Sequence, residues 1–86
     1  MSKYDETLQF LGDEYSSKLF DLEKCIYRKI SDYEFEISGL HSSTYNATLY
    51  IWKNKELLKC IDSIQSKEEL LKHLDIEIAA IQHNQD

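Results

Sequence analysis

Between Tyr33 and Trp52 the chain alternates twice. Tyr33, Phe35 and Ile37 are interleaved with Glu34, Glu36 and Ser38. After a polar stretch, Ala47, Leu49 and Ile51 are interleaved with Thr48, Tyr50 and Trp52. Successive side chains of a strand point to opposite faces, so this period of two predicts two strands with one apolar face each. Those apolar faces must be covered, which demands amphipathic elements elsewhere in the chain. The opposite faces carry Glu34 and Glu36 on one strand and Tyr50 and Trp52 on the other. If the strands pair, acids lie across from aromatics. Tyrosine and tryptophan bury much area while keeping a polar handle, which makes them frequent interface anchors. Glu34, Glu36, Tyr50 and Trp52 are therefore the candidate partner-binding residues. The competing reading packs Tyr50 and Trp52 under an N-terminal helix as a second core.

The elements that could cover the strands lie on both sides. Ser2 followed by Asp5 predicts a helix start, with Tyr4, Leu8 and Leu11 on one side and a bend at Gly12-Asp13. Tyr15, Leu19, Leu22, Ile26 and Ile30 recur every three or four residues, which predicts that the helix resumes as a second stripe. Within it Cys25–Ile30 is ambiguous, since Cys25, Ile26, Tyr27 and Ile30 also suit a strand; the continuing stripe favours helix. Ser31-Asp32 would open the first strand, Tyr33–Gly39, and Leu40–Thr44 forms a loop before the second, Tyr45–Lys53. Asn54-Lys55 predicts a tight turn into a third strand, Glu56–Ile64, whose facing the pattern leaves open. Ser66-Lys67-Glu68-Glu69 is a capping box. It starts a helix running to about His83, with Leu70, Leu71, Leu74, Ile78 and Ile81 inward and Asn84, Gln85 and Asp86 frayed. The expected architecture is α+β: helices, a three-stranded antiparallel meander and a C-terminal helix. The helices would cover one sheet face in a two-layer sandwich, leaving the other face open.

The chain has 86 residues with no proline and two glycines, which suits one folded domain over 1–86 and leaves little linker composition. Its net charge of −6, from 16 acids and 10 bases, is the wrong sign for a phosphate-neutralising surface. Direct binding to nucleic acid is not expected, although the helix–three strands–helix order resembles the double-stranded-RNA-binding domain. Where that family carries basic residues at its final helix, this chain has Glu68-Glu69 after Ser66-Lys67. No apolar run has signal-peptide or transmembrane length, and two cysteines, Cys25 and Cys60, fit buried thiols in a reducing compartment. The expectation is a cytoplasmic protein with no membrane contact.

Catalytic chemistry finds little to work with. Glu69, His73 and Glu77 share a helix face, a spacing that most often marks solvated i,i+4 contacts. A zinc site would need a second histidine at i+4 or a cysteine pair, and neither is present. Cys60 with His41 or His73 lacks a glycine-rich elbow, and no glycine loop could cradle a phosphate. No catalytic residue, metal or cofactor is expected.

Asp32-Tyr33, then Ile37-Ser38-Gly39, then Ser42-Ser43 resemble the first hairpin of the type II-A anti-CRISPR proteins, small acidic prophage-encoded inhibitors of an RNA-guided nuclease. The resemblance covers about a quarter of the chain. It implies a non-enzymatic inhibitor from a phage or mobile element, whose carboxylates occupy a basic groove on a host protein. Because Leu40–Thr44 carries no acid, those carboxylates would be Glu34, Glu36 and the acidic helix faces. The alternative is a small regulatory or immunity-type protein, homodimeric through its open sheet face.

Overall fold

The structure is a computed structural model that describes residues 2–84. In chain order it contains α1 (Lys3–Leu11), β1 (Ser16–Phe20), β2 (Glu23–Ile30), β3 (Tyr33–Ser38), β4 (Ala47–Lys53), β5 (Glu56–Ile64) and α2 (Lys67–Asn84). The fold is α+β. All strands pair antiparallel with their chain neighbours, in the order β1-β2-β3-β4-β5.

Both helices start where the sequence predicts. Ser2 Oγ accepts the Asp5 amide at 3.1 Å, and Asp5 and Glu6 stand in the first turn of α1, where carboxylates favour the helix dipole. Ser66 Oγ accepts the Glu69 amide at 3.0 Å, while Glu69 reaches back to the Gln65 amide at 3.2 Å. The second arm of this capping box thus lands one residue before the N-cap. Gly12 ends α1 rather than bending it: its φ of 100 leaves helical space, and its amide closes on Leu8 at 3.2 Å. The expected fraying of Gln85 and Asp86 lies outside the described residues, and Asn84 is the last residue of α2.

The expected helix over Tyr15–Ile30 is corrected to a hairpin, and the three-stranded meander becomes five strands. The turn between β1 and β2 is Asp21-Leu22, with φ of 50 and 68, and the turn at Asn54-Lys55 has φ of 51 and 67. Two successive left-handed residues match the twist of an antiparallel pair. Asparagine accepts that backbone easily; leucine does so at a steric cost. The helical stripe was a coincidence of spacing, because Leu19 and Leu22 end up 68% and 94% exposed. What counts in β2 is Ile26, Arg28 and Ile30 on one face and Cys25 and Tyr27 on the other.

Register fixes the two faces of the sheet. Ile26 lies opposite Ile37, Phe35 opposite Ile51, and Ile37 opposite Leu49. These residues join Ala47 and Ile64 in one core with Tyr4 of α1 and Leu70, Leu74 and Ile81 of α2. Leu8, Leu11, Ile61 and Ile78 pack around it, whereas Leu71 is only half-buried and stands outside. Polar contacts lock α1 to the sheet and to the loop before β4: Tyr4 Oη bonds Ser17 Oγ and donates to the Cys25 carbonyl at 3.2 Å, and Thr7 Oγ1 pairs with Tyr45 Oη at 2.8 Å. Lys59 of β5 meets Glu77 of α2 at 2.7 Å. Among the described residues, no helix is long and apolar enough to cross a membrane.

The loop after β3 is pinned to the fold rather than projecting from it. Leu40 is buried, and the His41 ring stacks on Tyr4 with centroids 5.2 Å apart. His41 Nε2 also lies 2.9 Å from the Lys24 carbonyl oxygen. Gly39 makes this return possible, since it sits at φ 83 and a Cβ there would come within 2.5 Å of the Asn46 carbonyl oxygen.

Candidate functional site

The face of the sheet turned away from the helices carries the unusual chemistry. Glu34 pairs across from Trp52 and Glu36 from Tyr50, so the structure brings all four candidate residues onto one surface. The same face takes Tyr27 and Cys25 from β2, Lys18 and Phe20 from β1, and Leu57 and Cys60 from β5. Tyr50 and Trp52 are half-buried, and α1 packs on the other side of the sheet, so the helix does not cover them. The open facing of the third predicted strand is now settled. Ile61 and Ile64 turn to the core, Leu57 and Cys60 turn away, and shifts of register along β4–β5 leave Leu58 exposed.

A concave pocket of about 310 Å³ sits in this face. Phe20, Tyr50 and Trp52 supply aromatic walls, and Asp21, Glu23 and Glu36 supply carboxylates. Phe20 is on β1 and Trp52 on β4, so the sheet must curl for them to share a pocket. The regular twist between neighbouring antiparallel strands, summed from β1 to β4, is the source of that curvature. A second concavity beside it is shared by Phe20, Glu34, Glu36 and Trp52 and is rimmed by Lys18 and Lys55.

Glu36 is the least expected member. A carboxylate on the open face should be solvated, yet Glu36 is 7% exposed. That burial pushes its pKa above the usual carboxylate value, opposed by the Lys18 ammonium and reinforced by Glu34. The Trp52 indole N–H also favours the charged form, although it is buried and completes no hydrogen bond of normal geometry. Glu34 is half-buried and accepts a 2.6 Å hydrogen bond from Tyr27 Oη. This bond, with burial and the nearby Glu34 and Glu36 charges, pushes the Tyr27 phenol up to about 12. Lys18 Nζ lies 4.2 Å from the centre of the Tyr27 ring, a cation seated on an aromatic face.

The cysteines differ from the expectation of two buried thiols. Cys25 is buried in the pocket wall, where burial and then Glu23 and Glu36 push its thiol up to about 11. Cys60 is exposed on β5. His41 is held against Tyr4 and Lys24, and His73 lies 3.9 Å from Glu69 on α2, so neither is engaged with Cys60. Among the described residues, no group of three or more His, Cys, Asp and Glu side chains could hold a metal ion. Sequence reasoning missed Phe20, Asp21, Glu23 and Cys25 as site residues. The one signal available was strand propensity at Cys25–Ile30, since a hairpin there brings β1 beside β2.

No family model matches this chain. Neither a curated protein nor a solved structure matches it either. The reading of its function therefore rests on the geometry of the open face.

Proposed function

We propose that this chain is a non-enzymatic binding protein that modulates or inhibits a partner by docking its open sheet face on a basic surface of that partner. The observation that supports it is the composition of the concave pocket: three aromatics and three carboxylates, with no lysine or arginine in its lining among the described residues. Such a pocket is complementary to a cationic group on a partner, and complementarity of this kind governs encounter rate and specificity. Around the pocket the hairpin tip exposes Phe20 and Leu22, 44% and 94% accessible, beside Asp21. Leu22, almost fully exposed in left-handed backbone, would bury apolar area by insertion into a partner.

This reading narrows the occlusion mechanism. The acids of α2 belong to elements packed on the opposite side of the sheet, so they and Glu36 do not address one flat site. The resemblance to anti-CRISPR proteins would make the basic site the DNA groove of an RNA-guided nuclease encountered by a phage. The pinned, acid-free loop at Leu40–Thr44 favours the broader class, a basic surface on a host protein. The exposed leucines of the hairpin tip favour a second reading, a homodimer that buries them.

Binding measured against salt separates these readings. A partner held by the open face should be lost steeply as salt rises, and Tyr50→Ala should cost about 2 kcal/mol of binding or more. Charge removal on α2, such as Glu68→Gln, should leave binding unchanged. Retention by Tyr50→Ala with loss by Glu68→Gln would move the interface to the helices. Sedimentation showing a stable dimer that Leu22→Asp dissociates would favour self-association.

A further inference from the structure

We infer that the pocket takes a guanidinium group, presented as the end of an arginine side chain by the partner; the source of that arginine rests on the docking reading above. A volume of about 310 Å³ lies at the small end of ligand pockets, which run from about 300 to 1,000 Å³. That suits one side chain rather than a nucleotide or a flavin. Phe20, Tyr50 and Trp52 line it with aromatic side chains, and Asp21, Glu23 and Glu36 bring negative charge to it. Glu23 is partly committed, because its Oε2 accepts the Gly39 amide at 2.9 Å. Glu36 is more than nine-tenths buried, so desolvation sharpens its preference for a cation.

The chemistry distinguishes among cations. The carboxylates do not converge as a metal site would, since no group of three ligating side chains among the described residues could hold an ion. They are distributed around an apolar-walled hollow, which an extended cation matches better than a point charge. A guanidinium is planar, weakly hydrated and carries donors in a fork, so it stacks on aromatic rings while bonding carboxylates at its edge. An ammonium is compact and strongly hydrated, and loses more on entry. The neighbouring Lys18 shows what the same face does with its own cation. It rests on the Tyr27 ring and rims the adjoining concavity, not this pocket.

The test uses Trp52, the single tryptophan of the chain, as reporter. Full-length protein is titrated with N-acetyl-arginine amide, with the isosteric but uncharged N-acetyl-citrulline amide, and with N-acetyl-lysine amide. The arginine probe should change Trp52 emission saturably, and the citrulline probe should bind more weakly by about tenfold or more, the loss expected for charged hydrogen bonds. The lysine probe should fall between them. Glu36→Gln and Asp21→Asn should each weaken the arginine response. Gln keeps the shape of Glu36, and Asn tolerates the φ of 50 at position 21, so both variants should fold. Equal responses to arginine and citrulline, or no saturable response to arginine, would overturn the pocket assignment. The two readings fail separately. Loss of a protein partner in Tyr50→Ala, without any response to the arginine probe, removes the guanidinium pocket and leaves the docking face. Arginine binding in a protein that engages no partner through this face removes the docking reading and leaves a site for free guanidinium ligands.

Discussion

The two faces of the sheet are built by the same strands and differ in almost everything else. On the helix side Ile26, Phe35, Ile37, Ala47 and Leu49 are fully buried in one apolar core, with Arg28 the charged residue opposite Phe35. One residue along the chain in each case, the open side places Tyr27, Glu34, Glu36, Thr48 and Tyr50. The helix side is covered by α1 and α2; the open side combines half-buried aromatics with carboxylates and a buried indole N–H that, among the described residues, completes no hydrogen bond of normal geometry. Period-two geometry lets one strand serve the core with odd positions and a binding surface with even ones. The comparison teaches that position parity in β3 and β4 should sort substitutions into those that unfold the protein and those that blunt its surface.

The largest effect should come from Phe35. It is fully buried between Arg28 and Ile51 in register, and Phe35→Ala should destabilise the fold by about 3–5 kcal/mol through lost burial and a residual cavity. Trp52→Ala, on the open face, removes a larger but half-buried side chain and should cost well under half as much in urea denaturation. Equal losses in the two variants would show that the open face is a second core, and the comparison would collapse.

The next effect has the opposite sign. Burial raises the pKa of Glu36, so the folded chain holds this proton more tightly than the unfolded chain does. Below the unfolded value, about 4.5, the carboxyl is protonated in both states and burial adds no charge penalty. As pH rises through the higher folded value, a carboxylate must be kept in poor solvent, and its contribution to stability falls. Glu36→Gln should therefore raise the urea midpoint at neutral pH, with the gain fading as the solution is acidified towards about 4.5. A variant less stable than the parent at neutral pH would mean that Lys18 and Trp52 outweigh the cost of burying the charge.

The helix-facing half of this contrast was largely legible in the sequence. Alternation at Tyr33–Ile37 and Ala47–Ile51 gave both strands, and Ser2 and Ser66 marked the helix starts because capping is a local interaction. The β1–β2 hairpin was not legible for two physical reasons. Its turn uses leucine at a left-handed position where glycine or asparagine is the usual sign. Its core face also carries Arg28, whose guanidinium reaches Glu14 at 2.8 Å and lies over the Tyr15 ring, so the alternation of β2 reads as polar. The pairing of Glu34 and Glu36 with Trp52 and Tyr50 followed from alternation. The pocket did not, because it depends on sheet curvature that brings β1 towards β4, and curvature is a tertiary property.

The smallest effect concerns the middle of the open face, where Tyr27 of β2 donates to Glu34 of β3. Both groups are half-buried, so Tyr27→Phe should cost only about 1 kcal/mol, the net worth of one hydrogen bond. Its signature lies in alkali. Below about 10 the phenol is protonated in both states, and the bond to Glu34 contributes fully. Between about 10 and about 12 the unfolded chain releases this proton while the folded chain retains it, so stability falls as pH rises. Tyr15 and Tyr45 are also raised, chiefly by burial on the helix side, and contribute to the same decline. Tyr27→Phe should therefore shallow the alkaline loss without abolishing it, and remove one late step from the phenolate absorbance titration. Glu34→Gln separates the faces more finely, because it takes the carboxylate from Tyr27 while leaving Tyr15 and Tyr45 in place. It should move one tyrosine towards its ordinary value of 10.0 and leave two behind. If all late tyrosines shifted together, the two faces would be coupled through the sheet, and parity would no longer sort them.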